Sequence, residues 1–371
     1  MAILQIVPRS PGPPDGVGDY ALIVARKLAT EYARETVFAA HQFIPAATAG
    51  NFEIVPLASI PKDLLRREWD HVILHFVSYG YQKRGVPFAL LSILRELRAN
   101  CRGRWLTIFH ELYASGPPWK SEFWLRPFQI QIAKSISRMS DACIVSSEAS
   151  RAELGRLTPD TEVFVHPVIS NFGEPVLAPG QIANRDPHRW VICGGTALVE
   201  RSVRSLRKIL KQIPDLSSPR ELFVLGGNDN PVTRSLLVDL ANIRANYQPR
   251  ISAAEASQIL STASFAWLDY FHRPEVPTDV ALKSTAFLAA CAHGVIPIFP
   301  HQGSAISLRG DRLPGPYFID GQHSQLPENA AATASEIYAW YQRCASSEHL
   351  VRGIASALGL HAMKPLQPDS A

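Results

Sequence analysis

Two histidines follow apolar runs of the chain and could donate or accept protons in a reaction. His110 and Glu111 come directly after the run 106–109, and His75 ends the preceding run, 72–75. Imidazole titrates near neutral pH, which suits acid–base chemistry. If both runs are strands of one parallel sheet, both histidines end at the edge where α/β proteins bind ligands. The spacing does not indicate a zinc site, because a helical HExxH pattern is absent; the alternative is a structural role.

A glycine pair, Gly16 and Gly18, follows the first apolar run and precedes a helical pattern. Glycines let the backbone approach a ligand, and a helix start offers N–H groups to phosphate or sugar oxygens. The third glycine of the dinucleotide fingerprint is missing, and no acidic residue follows a second strand at the expected distance, so NAD is not predicted. The alternative is a tight turn with Asp15 or Asp19 as the helix cap.

A second pair, Gly194 and Gly195, precedes Thr196 and, further on, Arg201 at the start of another helical pattern. A guanidinium binds phosphate oxygens in a bidentate manner and keeps its charge, so Arg201 suits a diphosphate. The alternative is that Arg201 lies on a solvated basic helix face with Arg204, Arg207 and Lys208.

A third motif is Lys283-Ser284-Thr285, preceded by Asp279. A helix that begins here supplies a positive charge, hydroxyls and backbone donors together. A lysine this close to a helix start opposes the helix dipole, a local cost that favours a functional role. The alternative is a capped helix whose lysine faces water.

Aromatic and basic residues are mixed at 79–84, beginning with Tyr79, and again at 117–126. Exposed tryptophans beside lysine and arginine could dock a sugar, a lipid-linked acceptor or a membrane surface. The alternative is an amphipathic helix that buries Trp124 and Phe128 in the core.

These residues need a scaffold of alternating strands and helices. In the first half, strand patterns at 3–7, 36–40, 71–76, 105–109 and 142–145 alternate with helical patterns at 20–32, 87–100, 121–139 and 147–157. In the second half, strand patterns at 190–193, 221–225, 265–268 and 296–299 alternate with helical patterns at 203–212, 233–241, 253–261 and 283–293, before a last helix at 330–345. The alternation predicts two doubly wound parallel sheets, with ligand sites at the carboxyl ends of the strands.

Composition limits the class of protein. The 371 residues exceed a single core and predict two domains, and a net charge of +4 is too mild for nucleic-acid binding. Five scattered cysteines form no CxxC pair, which favours a reducing, cytoplasmic compartment. The sequence shows neither a signal-peptide core nor an apolar run long enough to cross a bilayer. Peripheral contact with the inner membrane stays open as an alternative.

The order of the motifs resembles the family-four retaining glycosyltransferases of the GT-B fold. The matching features are the Gly16 to Gly18 turn, the His110 strand end, Arg201 after the glycine pair, and Lys283-Ser284-Thr285 followed by His293-Gly294 and Pro297. The resemblance implies an α/β protein of two Rossmann-like domains that face each other across a cleft. It also implies domains at 1–176 for the acceptor and 189–329 for the nucleotide-sugar donor, a linker at 177–188, and a C-terminal helix at 330–362 packing back towards the first domain.

The same resemblance implies a role for each site residue. His110 would lie beside the transferred sugar, while Arg201 and Lys283 would neutralise the diphosphate. The residues implied in donor binding are Gly16, Gly18, Gly195, Thr196, Arg201, Asp279, Lys283, Ser284 and Thr285. Those implied on the acceptor side are Asp19, His75, Tyr79 and Glu111. Backbone near 248–251 would receive the nucleobase.

One departure from the family concerns sugar recognition. The family commonly carries two glutamates eight positions apart before the Gly-x-Pro turn, and the corresponding positions here are Ala281 and Ala289. The first glutamate contacts sugar hydroxyls in the family, and Glu275 or Asp279 could substitute for it.

The expected function is therefore hexosyl transfer from a nucleotide diphosphate sugar to a glycan, a lipid-linked acceptor or a small molecule, as in polysaccharide biosynthesis. The resemblance implies retention of configuration. No DxD-like acidic motif is found, which favours a reaction independent of metals, and no cofactor is expected. The alternative is a catalytically degenerate GT-B protein that binds a nucleotide sugar or a partner without turnover. An epimerase or a pyridoxal-dependent phosphorylase is not favoured, because the acidic groups and cofactor lysine that they need are not evident.

Overall fold

The structure is a computed structural model that describes residues 2–12, 15–45, 50–59, 69–114, 119, 121–213, 219–240, 242–270, 276–320 and 326–362. The chain divides into two compact units. The first comprises residues 1–167 and 347–371, and the second comprises residues 168–346.

The first unit contains a seven-stranded parallel sheet. Its strands are β1 Ala2–Arg9, β2 Glu35–Gln42, β3 Glu53–Pro56, β4 His71–Phe76, β5 Trp105–Phe109, β6 Ala142–Val145 and β7 Glu162–Val165. Its helices before β7 are α1 Gly16–Tyr32, α2 Ser78–Tyr81, α3 Phe88–Ala99, α4 Ser121–Met139 and α5 Glu148–Leu157, with a 3-10 turn at Leu57–Ser59. The strand order β3-β2-β1-β4-β5-β6-β7 reverses between β1 and β4.

The second unit repeats this arrangement with six strands. They are β8 Arg189–Cys193, β9 Glu221–Leu225, β10 Arg244–Gln248, β11 Phe265–Trp267, β12 Ile296–Phe299 and β15 Tyr317–Phe318, with a separate hairpin of β13 Ser307–Leu308 and β14 Asp311–Arg312. Its helices are α6 Pro179–Ala183, α7 Thr196–Gln212, α8 Pro231–Val238, α9 Ala253–Leu260, α10 Thr285–Ala292 and α11 Ala330–Cys344, with a 3-10 helix at Thr278–Lys283. The order β10-β9-β8-β11-β12-β15 reverses between β8 and β11.

Continuous apolar runs explain the central strands. In β1 seven of eight residues are buried, and β4, β5, β6 and β12 are almost entirely buried. Parallel strands covered by helices on both faces bury both sets of side chains, so their sequences are not alternating but uniformly apolar. The predicted fold class, two Rossmann-like α/β units, is therefore confirmed.

The unit boundaries differ from those expected at 176 and 330. Residues 168–188 belong to the second unit because α11 holds them: the Tyr341 hydroxyl accepts from the Ser170 N–H at 3.1 Å, and the Tyr338 hydroxyl accepts from the Leu177 N–H at 3.2 Å. The expected C-terminal helix is two helices. The second, α12 Ser347–Leu358, belongs to the first unit, where it contacts α1 and β5.

Candidate functional site

The first unit brings Gln5, His75 and His110 into one row across three neighbouring strands. Gln5 lies in β1, His75 lies in β4, and His110 directly follows β5. The His75 Nε2 atom lies 2.8 Å from Gln5 Oε1, and the His75 Nδ1 atom lies 3.3 Å from His110 Nε2. The row runs beside the reversal in strand order, where doubly wound sheets bind their ligands. His110, at the carboxyl end of β5, is therefore the member placed to meet a ligand.

Burial keeps both imidazoles neutral. His75 is fully buried, whereas His110 is only half-buried. Burial lowers the pKa of His110 to about 4. Burial, and secondarily the charge of His110, lower the pKa of His75 well below its usual value. The Tyr20 ring meets the His110 ring edge-on at 5.0 Å between centroids. At neutral pH, His110 is thus an uncharged imidazole that donates at one nitrogen and accepts at the other.

The orientation of the Gln5 amide determines where the protons of the row lie. If Gln5 Oε1 accepts from His75 Nε2, then His75 Nδ1 accepts from His110 Nε2, and His110 Nδ1 is an acceptor. In this orientation Gln5 Nε2 is buried without a hydrogen-bond partner among the described residues. The reverse orientation of the amide would make His110 Nδ1 a donor.

The resemblance implied that His75 contacts the acceptor. His75 is fully buried, so its side chain does not reach an acceptor. It contacts His110 and Gln5, and the Tyr81 hydroxyl donates to its carbonyl at 2.8 Å. His75 is therefore placed to fix the orientation and tautomer of His110, the arrangement by which one ring nitrogen controls the other.

The Gly16–Gly18 turn forms the start of α1, and the side chain of Asp15 caps this helix. The Asp15 carboxylate accepts from the Gly18 N–H at 2.8 Å, and a Cβ on Gly18 would lie 3.2 Å from that carboxylate. Gly16 faces open space, because a Cβ added to it would have no neighbouring atom within 4 Å. Burial, and then the charge of Asp15, raise the pKa of Asp19. Two carboxylates at this helix start disfavour a phosphate and favour sugar hydroxyls.

Tyr79 and Glu111 follow β4 and β5 at the same carboxyl edge. The Tyr79 hydroxyl accepts from Gln129 Nε2 at 3.3 Å, and Glu111 is exposed beside His110. Within the described part of the chain, no hydrogen bond joins either side chain to His110. Their acceptor-side roles stay predictions.

In the second unit, two glycine turns pack against each other after β8 and β9. A Cβ on Gly226 would lie 2.7 Å from the Gly194 carbonyl oxygen, and one on Gly227 would lie 2.8 Å from the Thr196 Cα. The Thr196 hydroxyl accepts from the Asn228 N–H at 2.8 Å. The Thr196 side chain, which is predicted to bind the donor, thus stabilises the second glycine turn. The Gly226–Gly227 turn was missed at sequence level, although adjacent glycines after an apolar run were a signal for it.

Helix α7 begins without a capping side chain. Its N-cap is Gly195, and open space surrounds the position that a Gly195 Cβ would occupy. Four other helices of this unit are capped by side chains, those of Asn230, Ser252, Ser284 and Asn329. First-turn N–H groups lack intrahelical partners and carry partial positive charge. The start of α7 therefore offers donors and space to an anion.

Arg201 is held at the same edge of the second sheet. Its Nε donates to the Asp269 carbonyl at 2.5 Å, and its Nη2 donates to the Tyr270 carbonyl at 3.4 Å. The Asp269 carboxylate lies 3.6 Å from Nε, and the Asp269 N–H donates to Ser202 Oγ at 3.0 Å. These contacts join α7 to the loop after β11, across the strand reversal between β8 and β11. Arg201 is thus not a freely solvated arginine of a helix face.

The segment before α10 contains the remaining expected donor contacts. Asp279 and Lys283 lie in the 3-10 helix, and Thr285 begins α10. Burial raises the pKa of Asp279, and the charge of Lys283 acts in the opposite direction. The buried Ser284 hydroxyl accepts from the Phe287 N–H at 3.2 Å, so it serves as the cap of α10.

The expected nucleobase segment, 248–251, lies beside the second glycine turn. The Gly226 N–H donates to the Gln248 carbonyl and the Arg250 N–H donates to the Gly227 carbonyl, both at 3.0 Å. Glu275, the other candidate for sugar recognition, lies outside the described residues.

A cavity of about 490 Å³ lies elsewhere, lined by Arg34, Glu35, Thr36, Asn51 and Glu53 among others. These residues lie at the amino ends of β2 and β3, opposite the edge that carries His110. Among the described residues, no three His, Cys, Asp or Glu side chains cluster as metal ligands would. In the same part of the chain, no helix has the length and apolar character to span a bilayer.

The sequence matches no family model and no curated protein. The fold, in contrast, matches solved structures over almost the whole chain. An alpha-glucosyltransferase in complex with UDP-glucose and DNA containing an abasic site shares 11% identity, covering 96% of this chain and 99% of that one, with a TM-score of 0.61.

A UDP-forming α,α-trehalose-phosphate synthase from Burkholderia xenovorans shares 10% identity, covering 97% and 99% of the two chains, with a TM-score of 0.59. A glycosyltransferase involved in avilamycin A biosynthesis shares 14%, covering 98% and 100%, with a TM-score of 0.52. At identities this low, the matches establish a shared fold. The matched structures are glycosyltransferases.

Proposed function

We propose that the chain is a glycosyltransferase that moves a sugar from a nucleoside diphosphate to an acceptor hydroxyl. The proposal rests on two features at the carboxyl edge of the second sheet. There, the uncapped start of α7 at Gly195 lies on the same helix as Arg201, which the loop after β11 holds in place. In the first unit, His110 is neutral and partly exposed at the carboxyl end of its own sheet. Matches to glycosyltransferases of the same fold support this class.

The second unit would stabilise the leaving diphosphate. Negative charge builds on the phosphate oxygens as the bond to the sugar breaks. First-turn N–H groups of α7 and the cations of Arg201 and Lys283 would oppose that charge without any rearrangement. Fixed donors of this kind contribute about 3–4 kcal/mol each in other enzymes. We propose that this replaces a metal ion and that no cofactor is needed.

His110 would act on the transferred sugar as a neutral hydrogen-bonding group. Since its pKa is about 4, it carries no charge at pH 7 and offers the sugar a hydrogen bond, not a charge. We propose transfer on one face of the sugar: the anomeric carbon–phosphate oxygen bond breaks, the acceptor oxygen bonds on the same face, and the departing phosphate oxygen takes the acceptor proton. Configuration at the anomeric carbon is then retained.

Asp279 is the carboxylate that we propose for recognition of sugar hydroxyls. It lies four residues before Lys283 in the same 3-10 helix, and burial raises its pKa. A half-buried carboxylate gains most from hydroxyl donors, because they replace the water that it has lost. Asp19 and Glu111 would meet the acceptor.

The test is a thermal-shift panel of nucleoside diphosphates and their sugar conjugates, followed by a screen for donor hydrolysis and transfer. A ligand that binds only the folded state raises the melting temperature by mass action. UDP and UDP-glucose come first, because two matched glycosyltransferases have UDP compounds in their descriptions. The acceptor screen includes glycans, lipid-linked sugars and duplex DNA, the last because one matched complex contains DNA.

Stabilisation by a nucleotide sugar together with transfer supports the proposal. Stabilisation without hydrolysis or transfer would instead support a binding protein that has lost turnover. If no nucleotide stabilises the protein, the proposed function is wrong.

A further inference from the structure

Exposed aromatic side chains are concentrated on one part of the first unit. Among the described residues, the large apolar side chains that are exposed include six aromatic ones, and five of these fall between residues 88 and 128. We call this group the aromatic surface: Phe88 at 49% exposed, Trp119 at 82%, Phe123 at 40%, Trp124 at 68% and Phe128 at 50%. The sequence alternative, in which α4 buries Trp124 and Phe128, is therefore wrong.

Helix α4 carries buried apolar side chains in its second half and exposed ones in its first half. Ile132, Ala133 and Ile136 are buried, so the second half of the helix anchors it to the core. Trp124 and Phe128, one turn apart in its first half, are exposed. A surface helix normally presents polar residues opposite its buried face. The aromatic side chains of the first half therefore expose apolar surface where a surface helix would normally be polar.

Two ring contacts lie within the aromatic surface, and one of them crosses between helices. The Phe88 ring, at the start of α3, lies 6.3 Å from the Phe128 ring of α4. The Phe123 and Trp124 rings lie 5.4 Å apart. Several large apolar side chains exposed close together in the sequence and on neighbouring helices indicate an interaction site.

The segment of the sequence that carries the aromatic surface is strongly basic. Residues 79–138 contain ten Lys and Arg and three Asp and Glu, a net charge of +7, whereas the whole chain has +4 and the remainder therefore −3. Lys83, Arg84 and Arg126 are exposed and take part in no ion pair within the described residues. The Arg126 guanidinium lies 5.3 Å from the centre of the Tyr113 ring.

We propose that the aromatic surface docks the protein onto an anionic membrane surface. Aromatic rings enter the boundary between headgroups and acyl chains, while arginine and lysine stay among the headgroups. Anionic lipids complement the basic residues, and the attraction falls off within a Debye length. A carbohydrate would require amides and carboxylates around the rings, whereas this part of the chain supplies cations. The proposal goes beyond sugar transfer and does not depend on it.

The first experiment is sedimentation of the full chain with vesicles of phosphatidylcholine alone or mixed with phosphatidylglycerol, without nucleotide or acceptor. The protein should sediment with the mixed vesicles at low salt, and the bound fraction should fall at high salt. Trp124→Ser/Phe128→Ser should lower vesicle affinity about tenfold or more, and Lys83→Gln/Arg84→Gln should lower it mainly at low salt. The controls are Val238→Ser and Lys208→Gln/Lys211→Gln, exposed positions of the second unit.

Tryptophan fluorescence gives an independent measurement. Five of the seven tryptophans, Trp69, Trp105, Trp190, Trp267 and Trp340, are fully buried. A blue shift on vesicle addition must therefore come from Trp119 and Trp124, and Trp119→Phe/Trp124→Phe should abolish the shift while keeping sedimentation.

Because each substitution is at an exposed position, circular dichroism of the variants should match the parent. Sedimentation that is equal for parent and Trp124→Ser/Phe128→Ser, or absent with anionic vesicles, would overturn the proposal. So would a blue shift with a soluble oligosaccharide but none with vesicles. These outcomes leave the transfer assay untouched, so the failure of membrane docking and the failure of sugar transfer are distinguishable.

Discussion

The imidazole of His110 owes its neutral state to burial and its proton position to the two residues behind it. His75 contacts it at 3.3 Å, and Gln5 contacts His75 at 2.8 Å. Both partners are fully buried, so neither reaches a substrate. Their effect on chemistry must pass through His110, which makes them positioning residues.

Gln5→Glu should therefore change the titration of the histidine pair. A carboxylate at the Gln5 position accepts from His75 Nε2 and favours its charged form, so the apparent pKa at which the pair takes up a proton should rise by about one unit or more. NMR titration of the histidine C–H signals and the pH profile of kcat/KM would report it. Gln5→Met, similar in size but without an acceptor, serves as the control. An unchanged titration in Gln5→Glu contradicts this role.

Arg201 and Arg204 give a second residue-scale comparison. Arg201 is fixed by the Asp269 and Tyr270 carbonyls, whereas Arg204 is exposed and pairs with Glu200 on its own helix. Arg201→Ala should lower turnover about 100-fold or more, because a fixed cation opposite the diphosphate is lost. Arg204→Ala should leave turnover within about twofold. Steady-state kinetics with the identified donor, alongside melting temperatures, measures both; equal effects of the two substitutions would remove Arg201 from the site.

Among the elements, the start of α7 and the two glycine turns behind it determine whether an anion can bind. Gly194 adopts a φ of 141° and Gly227 a φ of 68°, conformations that favour glycine. Gly195 has an ordinary φ of −71° and open space around it. Positions 194 and 227 therefore require glycine for their backbone conformation and packing. Position 195 requires glycine only if a ligand approaches the backbone there.

Two alanine substitutions distinguish a glycine required for packing from a glycine required for ligand binding. Gly227→Ala places a Cβ 2.8 Å from the Thr196 backbone and should destabilise the second unit by about 1–3 kcal/mol. Gly195→Ala should leave the free energy of unfolding within about 0.5 kcal/mol but weaken nucleoside diphosphate binding about tenfold. Urea unfolding and calorimetric binding distinguish the two, with Gly180→Ala, in an open position of α6, as the control. Unchanged binding in Gly195→Ala would mean that no ligand contacts this turn.

Over the whole molecule, both units contain histidines that are buried in the neutral form. Burial lowers the pKa of His110 in the first unit and of His293 in the second to about 4. The unfolded chain, with a pKa near 6.5, binds more protons between these values. Stability is therefore fully present above pH 6.5 and is lost as the pH falls towards 4.

Each of these histidines should cost on the order of 2 kcal/mol between pH 7.5 and pH 5. The raised pKa values of Asp19 and Asp279 offset part of this loss, because their protonated forms are favoured in the folded state. Urea unfolding across this pH range should show the decline. The decline should be smaller by about 2 kcal/mol in His293→Gln and unchanged in His41→Gln, at an exposed position. A flat profile in the parent protein contradicts the expectation.

The sequence located the buried strands and most helices because a strand covered on both faces must be continuously apolar. It missed β3, β7 and β10, which lie at sheet edges and have polar or half-buried residues, as in β10 from Arg244 to Gln248. It also took residues 177–188 for a linker, although Tyr338 and Tyr341 attach 170–177 to α11. Contacts over such a distance along the chain leave no local pattern.

By itself, the sequence determined the fold class, and it placed His75 and His110 at the ends of successive strands, because the period of each segment and the residues at its end can be read locally. Only the tertiary structure decided that His75 is buried behind His110 with Gln5, that Asp269 holds Arg201, and that Trp124 and Phe128 are exposed. Each depends on which side chains meet across elements distant in the chain. Burial and pairing of this kind are properties of packing, and packing is not encoded in any single segment.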